Sequence, residues 1–330
     1  MLTWTRVFGF LKSGIFIGIV AHGLIGVSLV WDKILLRRPD TRNLVSYVFW
    51  MGSLSLFGLA LIPFGFRMPS LELAALAFVS GALHQAATYY YYAALKNGAA
   101  SQTLAIMGGF SPVATALIAI PLLSKPLGRD LVGFALMVAG GFVMFFAESF
   151  NLRKVLPPVL AASGSFGLVN VLQKVVFDRT NFVSGYVFFT LGTFAASLFL
   201  LARKSWRNQI FAASERAEPR SRFWYMVNRF MAGLGSFLIF LAISMANPAV
   251  VDAIAGERYA IIFISTYAIA KLRPFWLKEN FTGRVLIGKT IATALVVAGL
   301  VLLGLHPGED LVTGNEVLLV SSGLFSGFTE

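Results

Sequence analysis

GRDLVG at residues 128–133 returns as GRVLIG at 283–288, and each copy opens an apolar run. Working outward, YVFW at 47–50 resembles YVFF at 186–189, and Lys33 follows its apolar run much as Lys174 does. Ala94, Ala105, Ile106 and Gly108 match Ala242, Ala253, Ile254 and Gly256 at one constant offset. The chain therefore reads as two related halves. Apolar runs separated by Pro, Gly and charges predict ten helices, near 14–35, 44–66, 71–95, 99–123, 130–147, 156–177, 183–202, 222–245, 249–270 and 285–305. Five per half is an odd number, so the second half must enter the membrane from the opposite face. The expected fold class is an all-α integral membrane protein with ten transmembrane helices as two inverted five-helix repeats.

Composition agrees. Of the 330 residues 57% are hydrophobic and 13% charged, and the mean hydropathy is +0.77. A hydrocarbon core about 30 Å thick needs roughly 20 apolar residues per helix, and this chain offers such stretches almost end to end. The domain reading is an N-terminal segment 1–13, a first repeat 14–147, a second repeat 148–305 and an acidic tail 306–330, all one membrane domain. The apolar piece of the tail around 317–328 is too short to span. Arg6 and Lys12 precede an apolar run without a small-residue cleavage site that ends in Trp31, Asp32 and Lys33, which makes it a first helix, not a removable signal.

The net charge is +12 and there is no cysteine. The second fact excludes disulfides, thiolate zinc sites and cysteine nucleophiles. The excess Lys and Arg sit between apolar spans, where they read as topology signals and lipid contacts, not as a nucleic-acid surface. Loops after the odd-numbered segments carry about 17 of them and the remaining loops with the N-terminus about 7, which by the positive-inside rule puts the odd loops in the cytoplasm. The expected location is the plasma (inner) membrane, the expected partners a small-molecule metabolite and membrane lipids, and the expected state a monomer, with a homodimer as the alternative.

Some stretches carry a family likeness: AALKNGAASQTLAIMGGFSPVATALIA at 93–119, LAISMANPAVVDAIAGERYAIIFIS at 241–265 and LKENFTGRVLIGKTIATALVVAGLVLLG at 277–304. In these patterns of small and apolar residues the chain resembles the EamA-like branch of the drug/metabolite transporter superfamily, over roughly 14–305. The resemblance implies ten helices in two halves, a central cavity lined by helices 1, 3, 4, 6, 8 and 9, and transport. There are two departures. The family usually keeps both termini cytoplasmic, against the charge count, and the acidic residue common after its fourth helix is absent from SKPLGR at 124–129.

Candidate chemistry follows from depth. Glu257 and Arg258 fall near the middle of the ninth segment, about 15 Å from either face, where an ionised residue costs about 2.5 to 3.5 kcal/mol and is a functional candidate by default. Neighbours in sequence project about 100° apart, so each needs another partner. Arg229, at similar depth in the eighth segment, is expected to meet Glu257, which leaves Arg258 for the cavity. His22, the pair His84 and Gln85, Asn170 and Asp252 are further candidates for substrate contact. The run Tyr89 to Tyr92 reads mainly as an interfacial belt, with Tyr89, the deepest, as a vestibule candidate. Lys33 and Lys174 read as lipid-phosphate contacts, with gating as the alternative. Pro112, without a backbone donor, predicts a kink.

Gly283 to Thr290 satisfies GxxxxGK[ST], but a phosphate cradle needs a preceding buried strand, and the first-half copy GRDLVGFA lacks Lys and Thr. A helix onset is the better reading. Three histidines in the whole chain, no HExxH and no nucleophile elbow argue against an enzyme, and no cofactor, metal or catalytic residue is expected. The functional expectation is a secondary transporter of a small polar or zwitterionic, amino-acid-like metabolite, with Glu257 as a carrier for a coupling proton. A non-transporting assembly subunit or receptor is the rival.

Overall fold

In a computed structural model, residues 13–38, 41, 43–97, 100–124, 126–147, 152–272 and 283–305 are described. The segment before Ser13 and the tail from His306 lie outside them. The helices are α1 (Gly14–Arg37), α2 (Leu44–Ser53, continued as a 3-10 helix over Leu54–Phe64), α3 (Leu71–Asn97), α4 (Ala100–Leu123), α5 (Leu131–Ala147), α6 (Leu152–Arg179), α7 (Phe182–Phe199), α8 (Lys204–Arg216), α9 (Pro219–Met245), α10 (Pro248–Ala253), α11 (Glu257–Leu272) and α12 (Gly283–Leu305). No strand occurs among the described residues. Among the described residues eight stretches are long and apolar enough to cross a membrane, so the protein is a multi-pass membrane protein. Of the ten expected segments, α3 and α11 fall outside those eight: α11 has 16 residues, and α3 carries Glu72, His84, Gln85 and four tyrosines.

Local chemistry explains the starts. Asn43 Oδ1 accepts from Ser46 N at 2.9 Å and Asn181 Oδ1 from Ser184 N at 2.8 Å, each capping its helix. The caps are one device used twice, since NLVS runs directly into Tyr47 and NFVS reaches Tyr186 with only Gly185 between. Ahead of α10, Asn247 Oδ1 accepts from Ala249 N at 2.9 Å and Pro248 takes the first helical position, where a missing N–H costs nothing. Gly283 to Thr290 forms the first two turns of α12.

Two expectations on the elements are corrected. The loop 203–221 contains α8, whose Ile210 is fully buried against Val45 and Phe49. Trp206, Ile210 and Ser214 recur at helical spacing, a pattern hidden by the surrounding Arg, Lys and Ser. The ninth segment is not continuous either: a 3-10 turn over Ile254–Gly256 separates α10 from α11, so Glu257 and Arg258 begin a second helical piece.

Packing pairs elements of the two halves. The heaviest contacts are α5 with α12, α3 with α6 and α1 with α9, followed by α3 with α7 and α4 with α6; α4 with α5, inside the first half, comes next, ahead of α1 with α11. At the α3–α7 crossing the helices touch through Gly81 and Gly192: a Cβ on Gly81 would overlap the Phe189 carbonyl, and one on Gly192 the Phe78 carbonyl. The backbones have no flexible side chain to give way. Gly192→Ala should therefore lower stability by about 1–3 kcal/mol, read as an earlier thermal transition in detergent, and an unchanged transition would show a looser crossing.

Candidate functional site

The break in the ninth segment gathers polar side chains from four helices, α1, α4, α10 and α11. On α10, Asp252 Oδ2 accepts from Ser111 Oγ at 2.8 Å and Thr115 Oγ1 at 2.6 Å, which stand one turn apart on α4. On α11, Arg258 reaches His22 of α1, with NH2 2.6 Å from Nδ1. The other ring nitrogen of His22, Nε2, lies 2.8 Å from the Val251 carbonyl. His22 thus ties together the pieces on either side of the 3-10 turn. Glu257 is half-buried, and its Oε1 would lie 3.2 Å from a Cβ on Gly23, so that glycine makes the room the carboxylate occupies. Its Oε2 is buried without a hydrogen-bond partner among the described residues. Four candidates, His22, Asp252, Glu257 and Arg258, therefore meet at one place. A 3-10 interruption within a helix often marks a functional hinge.

Arg229 does not join them, and the expected pairing with Glu257 is corrected: Arg229 pairs with Asp32. Asp32 is fully buried and Arg229 5% exposed. Asp32 Oδ1 also accepts from Tyr47 Oη and Asn228 Nδ2, both at 2.5 Å, and Oδ2 from Tyr92 Oη at 2.5 Å. The guanidinium stands 5.3, 5.9 and 5.5 Å from the ring centres of Tyr47, Tyr92 and Tyr225, within cation–π range. Since Asp32 is ten residues beyond His22 on α1, the cage sits about 15 Å from the first group. The pairing leaves neither buried ion without its counter-charge.

The other candidates scatter. His84 is surrounded by the rings of Phe166, Phe189 and Phe240 at 5.4, 5.2 and 6.0 Å. Gln85 Nε2 donates to the Val48 carbonyl at 2.9 Å and clips α3 to α2. Asn170 is buried on α6, one turn before Gln173. Tyr89 packs in the apolar seat beneath α8. The belt reading of the tyrosine run is corrected: Tyr91 and Tyr92 are buried inside the bundle and only Tyr90 is well exposed. The lipid reading of the two lysines fails as well. Lys33 Nζ donates to the Leu95 carbonyl at 2.8 Å and Lys174 Nζ to the Ser244 carbonyl at 3.0 Å. Each caps the last turn of the helix it packs against, α3 and α9, where carbonyls lack intrahelical donors.

These two caps expose an asymmetry. Gln173 precedes Lys174 as Asp32 precedes Lys33, and Ala77, Ser80 and Phe240 stand at the spacing from Tyr225, Asn228 and Tyr92 that relates Ala94 to Ala242. Gln173 Nε2 donates to Ser80 Oγ and lies 3.5 Å from the Ala77 carbonyl. The Asp32 position therefore holds an ion pair in a tyrosine cage, and its counterpart in the second half a neutral amide bonded to a serine hydroxyl. Sequence reading missed Asp32, Tyr47, Asn228, Tyr225, Ser111, Thr115 and Gln173. The available signal was Asp32 itself, an acid next to a lysine inside an apolar run.

The fold and its buried charges define the class: a multi-pass helical membrane protein with an internal polar group at a broken helix. No family model and no curated protein matches the chain. A solved structure described simply as "Crystal structure of protein" is similar to it at 16% identity and a TM-score of 0.58, covering 88% of this chain and 95% of its own. At that identity the likeness shows the fold alone.

Proposed function

We propose that the protein is a secondary transporter of the plasma membrane that moves a small polar or zwitterionic metabolite by alternating access between two inverted five-helix halves, as its resemblance to the EamA-like transporters implies. The observation that carries this is the group Asp252, Glu257, Arg258 and His22 at the broken ninth segment. Discontinuous helices near the bilayer middle are where such proteins hold substrate and coupling ions. Arg258 meets the carboxylate of the substrate, because a guanidinium fork matches carboxylate geometry. Glu257, with one oxygen unpartnered, is the carrier for a coupling proton.

Contacts that survive an exchange of the halves support the two-repeat reading. Swapping α1 with α6, α3 with α9 and α4 with the α10–α11 pair turns the α3–α6 contact into α9–α1 and the α4–α6 contact into α11–α1, and all four are major contacts. The duplicated Asn caps and Lys caps obey the same exchange. The test is a thermal-shift screen of the purified protein against a metabolite library, followed by liposome flux of each hit with and without a pH gradient. Glu257→Gln should keep binding and lose the stimulation of flux by the gradient; unchanged gradient dependence would remove Glu257 from coupling. The rival, a non-transporting subunit, draws on the complete seal around Asp32, and hits that bind without flux would select it.

A further inference from the structure

The bonds of His22 fix its protonation state by elimination. A carbonyl oxygen only accepts, so Nε2, 2.8 Å from the Val251 carbonyl, carries the hydrogen. A guanidinium only donates, so Nδ1, 2.6 Å from Arg258 NH2, offers its lone pair. The imidazole here is the neutral Nε2–H tautomer. A proton added at Nδ1 would set N–H against N–H and place two cations side by side. Protonation of His22 and its bond to Arg258 are mutually exclusive.

We propose that His22 is a proton-operated release for Arg258: the site takes up one proton on His22 Nδ1 for each carboxylate that Arg258 binds. The inference rests on the reading that Arg258 meets a substrate carboxylate and names the linkage behind it. The only covalent change is the proton transfer: an O–H bond of a hydronium ion breaks and an N–H bond forms at Nδ1. The proton comes from water, Nδ1 gains it, and the bond from Arg258 to the imidazole is exchanged for bonds to the carboxylate. The Nε2–H bond to Val251 survives, so His22 stays anchored to α10 while its own tie to Arg258 of α11 is broken.

Charge balance in the group favours the exchange. Facing this stretch of α1 are Arg258 and Glu257 of α11, with Glu257 against Gly23, and Asp252 of α10, next to Val251. α9 brings Ala242 to Gly18 and Gly235 to Ile25, and its Arg229 is held by Asp32. α4 contributes the uncharged Ser111 and Thr115. Lys289 of α12 is buried and engaged. With Asp252 and Glu257 both ionised, the single guanidinium leaves the immediate group negative. A substrate anion would add to that at low dielectric, where like charges repel strongly, and a proton on His22 cancels the addition.

With three histidines in the chain, nitrogen-15 histidine NMR on the full chain in nanodiscs reads His22 directly, assigned by its loss in His22→Asn. The probe is sodium acetate against sodium chloride at equal ionic strength, between about pH 5 and 8, the range in which histidine changes charge. In chloride the signal should be the Nε2–H tautomer; acetate should convert it to the doubly protonated ring, with uptake of about one proton per bound acetate in weakly buffered solution. His22→Asn keeps an oxygen acceptor near the Nδ1 position, so it should bind acetate without proton uptake. Arg258→Gln should lose both, and Glu257→Gln should retain both. An Nδ1–H tautomer, acetate that binds with His22 still neutral, no acetate response at all, or uptake that persists in His22→Asn and vanishes in Glu257→Gln would each overturn the proposal. The wild-type spectra decide even where a variant fails to fold. Flux of library hits with a silent His22 would sink this inference alone, whereas a responsive His22 without flux of any hit would sink the transporter reading and leave the linkage standing.

Discussion

Asp32→Ala should cost the protein about 3–5 kcal/mol, because it leaves the Arg229 guanidinium buried without its counter-ion. The carboxylate also accepts from Tyr47, Tyr92 and Asn228, so three further donors lose their acceptor and α1, α2, α3 and α9 lose their common tie. Thermal unfolding in detergent is the readout. Replacing both charges, Asp32→Asn with Arg229→Gln, should recover most of the loss, since a neutral pair of similar shape carries no uncompensated ion, and the two substitutions should depart from additivity by more than about 1 kcal/mol. At the counterpart position Gln173→Leu should cost about 1 kcal/mol or less: Gln173 Oε1 has no partner among the described residues, so little more than one net hydrogen bond is lost. Equal costs at Asp32 and Gln173 would mean that the two positions are energetically alike, against the contrast in their chemistry.

Arg258→Gln should remove binding of carboxylate-bearing hits. Truncating one partner of a desolvated charge pair costs about 2–5 kcal/mol, a factor of about 30 to several thousand in Kd. Calorimetric titration of a hit into wild type and variant measures it. Arg258→Lys should recover only part, because an ammonium keeps the charge and loses the fork. Arg258 is half-buried and bonds His22, not the Asp32 cage, so the variant should unfold near the wild-type temperature. Carboxylate hits that bind Arg258→Gln as tightly as wild type would remove Arg258 from the site.

Much of the fold was legible because the membrane imposes one rule: a spanning segment must satisfy its own backbone and show apolar side chains to lipid. Hydropathy therefore located every long helix to within a few residues, save at the start of α6 and of α9. It failed where that rule relaxes. The amphipathic α8 lies outside the apolar runs, and its single buried Ile210 leaves a faint pattern. The 3-10 turn at Ile254–Gly256 interrupts a run whose residues, Ile, Ala and Gly, are ordinary in a helix. Its unwinding is a property of what surrounds it, with Asp252 drawn to α4 and Arg258 to α1.

The candidate site was half legible. Burial cost marked Asp252, Glu257, Arg258, Arg229 and His22 as residues that need partners, but cost names no partner. By itself the sequence determined that this is a helical membrane protein with charges it must bury and a motif used twice, because composition and periodicity are properties of the chain. Only the tertiary structure decided that Arg229 belongs to Asp32 and that His22 stands between Val251 and Arg258, because partnership depends on which helices lie side by side.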